Sequence, residues 1–149
     1  MRVREVMYRD LTSIAPGTDL REAVGVMAAH RTSGLPVVDD DFRVVGFLSE
    51  RDIIETAYPY TDLRSEDLMI TARLTDLVRE LGRIKGRTAE SCMSRPPMTA
   101  DEDADVEDIT SKMLLGRLKV MPVVRNNRLV GVVRRADLAA SIVSEDRLD

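Results

Sequence analysis

The chain has 149 residues, of which 44% are hydrophobic and 32% charged, the composition of an ordinary globular domain. Its net charge of −4 argues against a nucleic-acid binder, which needs a basic surface, and no apolar run approaches the roughly 20 residues of a membrane span. A single cysteine, Cys92, excludes an intrachain disulfide and, with an N-terminus that lacks the apolar core of a signal peptide, favours a cytoplasmic protein.

The first half of the chain predicts a short strand, a helix, a hairpin and a second helix. The first helix begins after Thr18 or Asp19, either of which is placed to cap it. Its apolar residues recur at the spacing of one helix face: Leu20, Ala23, Val24 and Met27. Two β-rich runs follow at 35–38 and 44–48, with a short polar connector that indicates a hairpin, and the second helix begins near Ser49.

The middle of the chain, at 59–88, has no counterpart elsewhere in the sequence. It is predicted to be an inserted linker between a first domain at 1–58 and a second at 89–149. It carries a helical stripe of apolar residues: Leu74, Leu77, Val78, Leu81 and Ile84. Two interpretations of this stripe stay open, namely a connecting helix packed on the core and a helix around 72–85 that contacts a partner subunit.

The second half of the chain repeats the first. Residues 23–38 (AVGVMAAHRTSGLPVV) reappear in register at 109–124 (ITSKMLLGRLKVMPVV), 86 residues later, and a shorter loop then reduces the offset to 85. The helix stripe of this copy is Val106, Ile109, Thr110 and Met113. Its β-rich runs lie at 121–124 and 129–133. Because one copy of a repeat cannot bury its apolar face alone, the sequence predicts an α/β (α+β) fold in which two β-α-β-β-α repeats pack with pseudo-twofold symmetry.

The first repeat ends in Gly46-Phe47-Leu48-Ser49-Glu50-Arg51-Asp52, which suggests a nucleotide site. A glycine lets the backbone approach a ligand closely, and a serine at a helix start exposes N–H groups that attract phosphate. A carboxylate one turn later can accept hydrogen bonds from both hydroxyls of a ribose. The same Ser49 and Asp52 also match a capping box, which needs no ligand. On the residues alone both interpretations stay open.

The segment HRTSGLPVVDDDFRVVGFLSERDII resembles a CBS domain, the motif named after cystathionine β-synthase, and MPVVRNNRLVGVVRRADL is similar to it. The specific element is glycine, a hydrophobic residue, any residue, Ser or Thr, two residues and Asp, placed after a hairpin. The resemblance covers about 3–55 and 89–144. It implies a tandem pair that forms one regulatory module. Such pairs bind AMP, ADP, ATP (with Mg²⁺ where ATP is the ligand) or S-adenosylmethionine between the two motifs. An undetected enzyme is a further class of function, and we do not expect it because the sequence shows no nucleophile–base or metal constellation.

The resemblance also implies which residues form each cleft, since the ribose carboxylate of one motif faces the adenine-contacting backbone of the other. For the first cleft it implies Ser49, Arg51, Asp52, Lys119, Val120, Met121 and Pro122. For the second cleft it implies Asp137, Arg134, Ser33, Gly34, Leu35 and Pro36.

The second motif departs from the family pattern, because Arg134 replaces the capping serine. One interpretation is that Arg134 and Arg135 meet the phosphates of a longer nucleotide, since guanidinium groups suit phosphate. The other, which we favour, is that Arg134 fills the second cleft and leaves that site vestigial.

Other chemistry in the sequence is sparse. With His30 as the only histidine and Cys92 as the only cysteine, no metal cluster or catalytic set is recognisable. The alternative to a nucleotide sensor is a structural homodimerisation module with no small-molecule ligand. A homodimer is expected in either case, because one pair is expected to leave apolar helix faces uncovered, and closed twofold dimers are common. The outward residues are predicted to be Val24, Met27, Ile109 and Met113. The sequence does not identify an effector protein.

Overall fold

The computed structural model of the protein describes residues 1–57, 82 and 84–145. The predicted stripe residues Leu74, Leu77, Val78 and Leu81 lie outside the described part. The described helices are α1 (Val3–Val6), α2 (Leu20–His30), α3 (Glu50–Ala57), α4 (Ala89–Cys92), α5 (Val106–Leu115) and α6 (Arg135–Glu145). The described strands are β1 (Gly34–Val38), β2 (Val44–Ser49), β3 (Ala100–Asp101), β4 (Val120–Arg125) and β5 (Arg128–Arg134). None of these helices is long and apolar enough to cross a membrane.

The two halves of the chain share one plan, which confirms the predicted repeat. Strands β1 and β2 form an antiparallel pair, and β4 and β5 form a second one, to which β3 adds in parallel. The counterpart of β3 in the first half is reduced to Ile14, which makes a parallel bridge to Val37 just as Ala100 pairs with Val123. Asp19 caps α2, because its carboxylate accepts the Arg21 N–H at 2.8 Å.

Each half has its own apolar core against the inner face of its first long helix. The expectation that Met27, Ile109 and Met113 face outward is wrong, since their exposed fractions are only 4%, 1% and 0%. They share a face of α2 or α5 with residues such as Leu20, which is also fully buried. Val24 lies one position further around α2 and is 43% exposed.

The halves exchange their N-terminal segments. Helix α1 precedes the first half in the chain but packs on the second core, to which Val3 belongs, and α4 packs on the first core through Ala89. Corresponding backbone bonds hold both segments: the Val3 N–H donates to the Ala104 carbonyl at 2.9 Å, and the Ala89 N–H donates to the Thr18 carbonyl at 2.8 Å. The two halves are therefore interlocked.

This exchange explains the two repeated glycines. A Cβ on Gly46 would lie 2.3 Å from Sδ of Met93, and a Cβ on Gly131 would lie 2.3 Å from the carbonyl oxygen of Tyr8. The close neighbour of each glycine is thus the crossing segment of the other half.

The pseudo-twofold axis passes between the two hairpins. Arg43 and Arg128 are equivalent in the repeat and form an antiparallel bridge with each other. On one side the Val44 N–H donates to the Asn127 carbonyl at 3.0 Å, and on the other the Leu129 N–H donates to the Phe42 carbonyl at 3.2 Å. The hydrogen bonds between the halves thus obey the same symmetry as the sequence.

Candidate functional site

Two clefts lie at equivalent places between the halves, and the first is the larger. It has a volume of about 500 Å³. Both halves line it, with these predicted residues present: Ser49, Arg51, Asp52, Lys119 and Val120. Met121 and Pro122, which were predicted for this cleft, do not line it, and both are almost completely buried. Ser33, predicted for the second cleft, lines the first.

Ser49 and Asp52 form the capping box that their spacing predicted. The Ser49 backbone N–H donates to Oδ2 of Asp52 at 2.9 Å, and the Asp52 backbone N–H donates to Oγ of Ser49 at 3.1 Å. The other carboxylate oxygen, Oδ1, receives a long bond of 3.4 Å from the hydroxyl of Ser94. One oxygen of Asp52 therefore caps α3, while the residue also lines the cleft.

The second cleft is about half as large, with a volume of about 260 Å³. Of the residues predicted for it, it contains Gly34, Leu35, Pro36 and Arg134, and Val120 lines both clefts. Asp137 does not line the second cleft, and its side chain is only 12% exposed. Its Oδ2 accepts two hydrogen bonds from Arg134, one from the backbone N–H at 3.0 Å and one from Nε at 3.2 Å. Arg135 lines neither cleft.

Arg134 extends from this ion pair across the second cleft onto an aromatic ring. Its Cζ lies 4.0 Å from the ring centroid of Tyr8, a cation–π contact. The position equivalent to Tyr8 in the first cleft is held by the smaller Ser94, and the position equivalent to Arg134 is held by Ser49. At these two positions the second, smaller cleft therefore carries the larger side chains.

The sequence interpretation missed several cleft residues because the N-terminal segments cross over. Tyr8, Asp10 and Thr12 line the second cleft, and Ser94 lines the first. Hydrogen bonds from the hydroxyl and backbone N–H of Thr12, at 2.6 and 2.9 Å, lower the pKa of Asp10. The only available signal was the repeat offset itself, which relates Tyr8 to Ser94.

The charged side chains of the first cleft are balanced in number but not in pairing. The carboxylates are those of Glu50, Asp52 and Glu55. Nε of Arg51 donates a hydrogen bond to Oε1 of Glu55 at 2.8 Å. The cations Arg117 and Lys119 also line it, and within residues 1–57 and 84–145 neither side chain has an ion pair or hydrogen bond. Among the described residues, the cleft thus presents two cations without a partner. Among the described side chains, no group of three or more His, Cys, Asp or Glu could hold a metal ion.

A third depression lies outside the two clefts, between α2 and α3. It has a volume of about 900 Å³ and a mainly apolar lining. Val24 and Ile54, which are 43% and 55% exposed, contribute to it from the two helices, and Ile84 lines it as well.

Comparison with known proteins supports the two-motif plan. Among curated proteins, the chain is 26% identical over 145 residues to the CBS domain-containing protein CBSX1, chloroplastic, of Arabidopsis thaliana, in a match that covers 93% of this chain. The chain spans 61% of the length of that relative.

Two solved structures show the same fold. The structure of CBSX2 from Arabidopsis thaliana in complex with AMP matches this chain with a TM-score of 0.74 at 20% identity. The match covers 97% of this chain and 98% of the CBSX2 chain. The CBS domain pair of protein MJ0100 in complex with 5′-methylthioadenosine and S-adenosyl-L-methionine matches with a TM-score of 0.68 at 22% identity, again over 97% and 98%. A family model for the CBS domain matches residues 3–58 and 89–144, and the chain therefore belongs to the CBS domain family, with the domain present twice.

Proposed function

We propose that the chain is a regulatory module that binds an adenine nucleotide in its first cleft. The observation that carries this proposal is the position of Asp52, which lines a cleft of about 500 Å³ together with Lys119 and Val120 of the other half. Within the described residues its Oδ1 receives only the long bond from Ser94, so it can accept a ribose hydroxyl while Oδ2 keeps the cap. Capping and ligand binding are therefore compatible in one residue.

The size of the first cleft and the known ligands of similar proteins support this proposal. Small-molecule sites usually have volumes of about 300–1,000 Å³, a range that includes the first cleft at about 500 Å³ and excludes the second at about 260 Å³. CBSX2 has been crystallised with AMP, and the MJ0100 pair with two adenosine derivatives. The proposed ligand of this chain is accordingly AMP, ADP, ATP or S-adenosylmethionine.

A regulatory role requires that the ligand change the free energy of two states by different amounts. We propose that an effector protein distinguishes the occupied module from the empty one, in the cytoplasm. No resident cofactor is needed for this role, and Mg²⁺ enters only with ATP. Enzymatic turnover is not part of the proposal.

The test is calorimetric titration of the wild type and two matched variants with each candidate nucleotide. Asp52→Asn keeps a carbonyl oxygen for the cap but removes the negative charge and one hydrogen-bond acceptor. It should weaken nucleotide binding at least about tenfold, which corresponds to the loss of one good hydrogen bond. Asp137→Asn, the same change in the second half, should leave binding unchanged. A ligand at 100 times its Kd should also stabilise the wild type by about 2.7 kcal/mol.

Two outcomes would contradict the proposal. If none of the nucleotides binds or stabilises the wild type, the first cleft is not a nucleotide site. If Asp52→Asn and Asp137→Asn weaken binding equally, the ligand does not distinguish the clefts and Asp52 is not its ribose acceptor.

The apolar depression between α2 and α3 favours a second candidate function, a structural homodimerisation module. We propose that the chain forms a homodimer through this surface, because Val24 and Ile54 are exposed there and a twofold dimer would bury them. A Val24→Glu, Ile54→Glu variant should then shift the mass measured by light scattering from dimer to monomer. Leu11→Glu, at a residue that is 50% exposed elsewhere, should not. A monomeric wild type would reject the dimer, and a dimer that binds no nucleotide would favour the structural function.

A further inference from the structure

The first long helix of each half ends in the same backbone motif. The Thr32 N–H donates to the Met27 carbonyl at 3.0 Å, and the Leu118 N–H donates to the Met113 carbonyl at 2.9 Å, which are the six-to-one bonds of a Schellman motif. The motif places one residue, between the helix and the following strand, in the left-handed region. In both halves this residue is an arginine: Arg31 has φ 50° and Arg117 has φ 52°.

Arginine is an unfavourable residue at this position. The left-handed region brings Cβ against the backbone, so that glycine usually occupies the end of such a helix. The second half does contain a glycine nearby, but Gly116 has an ordinary φ of −82° and lies one residue too early. Glycine at 117 would give the same turn with less strain, as glycine would at 31.

The two arginines lie in different surroundings. Arg117 lines the first cleft beside Lys119, and within the described residues its guanidinium has no ion pair or hydrogen bond. Arg31 lines the apolar depression between α2 and α3, and the second cleft is lined instead by His30 and Thr32 on either side of it. Among the described residues, a guanidinium without a partner therefore lines the first cleft, which Asp52 also lines, whereas Arg134 in the second cleft is paired with Asp137.

Resting on the nucleotide site proposed above, we propose that Arg117 is the residue that makes the first cleft select phosphate-bearing nucleotides over nucleosides. A guanidinium group donates two parallel hydrogen bonds to a phosphate, and a charge-assisted pair of this kind is stronger than a neutral one. The left-handed backbone limits where the side chain can point. Lys119 adds a second positive charge in the same cleft. The ligand class is then an adenosine phosphate, and uncharged adenosine or 5′-methylthioadenosine binds more weakly.

The experiment compares AMP with adenosine in the wild type, Arg117→Gly and Arg31→Gly. The internal repeat makes Arg31→Gly a matched control, because it relieves the same backbone strain at the equivalent position outside the cleft. Arg117→Gly should weaken AMP binding about 10- to 100-fold, the loss expected for one charge-assisted contact, and should leave the Kd for adenosine unchanged. Both glycine variants should raise Tm by about 2–4 °C.

The possible results separate this inference from the function on which it rests. A wild type that binds neither AMP nor adenosine rejects the nucleotide site and the inference together. A wild type that binds both, with an affinity ratio that Arg117→Gly does not change, rejects the role of Arg117 and leaves the nucleotide site standing. A fall in Tm for Arg117→Gly would show that the arginine stabilises the fold and would overturn the argument from strain. Loss of AMP selectivity in Arg117→Gly, with none in Arg31→Gly, supports the proposal.

Discussion

The guanidinium of Arg134 lies 4.0 Å from the ring centroid of Tyr8 while its Nε contacts Asp137 at 3.2 Å. In the first cleft the corresponding residues are Ser49, Ser94 and Asp52, and there the Ser94 hydroxyl donates a long hydrogen bond of 3.4 Å to Oδ1 of Asp52. The second motif thus provides its own cation at the point where the first motif leaves space. From this difference we expect the two clefts to bind ligands unequally.

We expect one nucleotide per wild-type chain and two per chain in an Arg134→Ser, Tyr8→Ser variant. The double change reproduces the residues of the first cleft in the second and removes the ion pair to Asp137. The stoichiometry from calorimetry measures the effect. The second site should be the weaker, because among the described residues that line it there is no arginine or lysine other than Arg134, which the variant removes. Arg135→Ser, at the neighbouring residue that lines neither cleft, should leave the stoichiometry at one. Two ligands per wild-type chain would contradict the prediction that Arg134 fills the second cleft.

The sequence predicted the repeated elements well because each is defined by local patterns. The hairpins follow from β-rich runs with polar connectors, and Asp19 follows from capping preference. Burial was predicted less well, since periodicity identifies an apolar helix face without saying which side the core lies on. That is why Met113 was expected outside and is completely buried.

The exchange of the terminal segments could not be predicted from local patterns. Helices α1 and α4 have four residues each, too few to show a period. Because the repeat relates Val3 to Ala89, either segment could have packed on either core with the same symmetry. The cleft residues Tyr8 and Ser94 depend on this choice, so the chemistry of the clefts was only partly accessible from the motif around Ser49 and Asp52.

The repeated glycines should differ in their tolerance of alanine. In Gly131→Ala the new Cβ meets the rigid backbone of Tyr8, whereas in Gly46→Ala it meets the flexible side chain of Met93. We expect losses of unfolding free energy of about 3 and about 1 kcal/mol, respectively, which lie within the usual range for overpacking. Gly25→Ala, whose Cβ meets nothing within 4 Å, should gain about 0.5–1 kcal/mol because alanine favours a helix. Urea denaturation measures all three. Equal losses at the two repeated positions would contradict the close approach of Tyr8.

The buried carboxylate of Glu102 should make stability depend on pH. Its exposed fraction is 4%, and a hydrogen bond from Arg125, reinforced by its charge, lowers the pKa of Glu102 below the ordinary value of 4.5. A lowered pKa means that the folded state binds its proton less readily than the unfolded state. The stabilisation is therefore fully present above pH 4.5 and is lost as the pH falls through the lowered pKa.

Glu102→Gln tests this dependence. The variant should have a lower Tm than the wild type at pH 7, and the difference should shrink as the pH falls below 4.5. Glu107→Gln, on the exposed surface of α5, should show a smaller difference at pH 7. A Tm difference for Glu102→Gln that stays constant from pH 7 to low pH would mean that lost packing, and not the charge, is responsible.

The exchange of α1 onto the second core should be visible in mutational coupling. Val3 is completely buried in the same cluster as Ile109, whereas Ile53 belongs to the first core. Val3→Ala should cost about 2 kcal/mol of unfolding free energy, since it removes two buried methyl groups and leaves a cavity. Combined with Ile109→Val, it should deviate from additivity by about 0.5 kcal/mol or more, because both changes affect one packed cluster. Combined with Ile53→Val, the matched change in the other core, it should be additive within about 0.3–0.5 kcal/mol. Coupling to Ile53 in place of Ile109, measured by urea denaturation, would mean that the N-terminal segment packs on its own half.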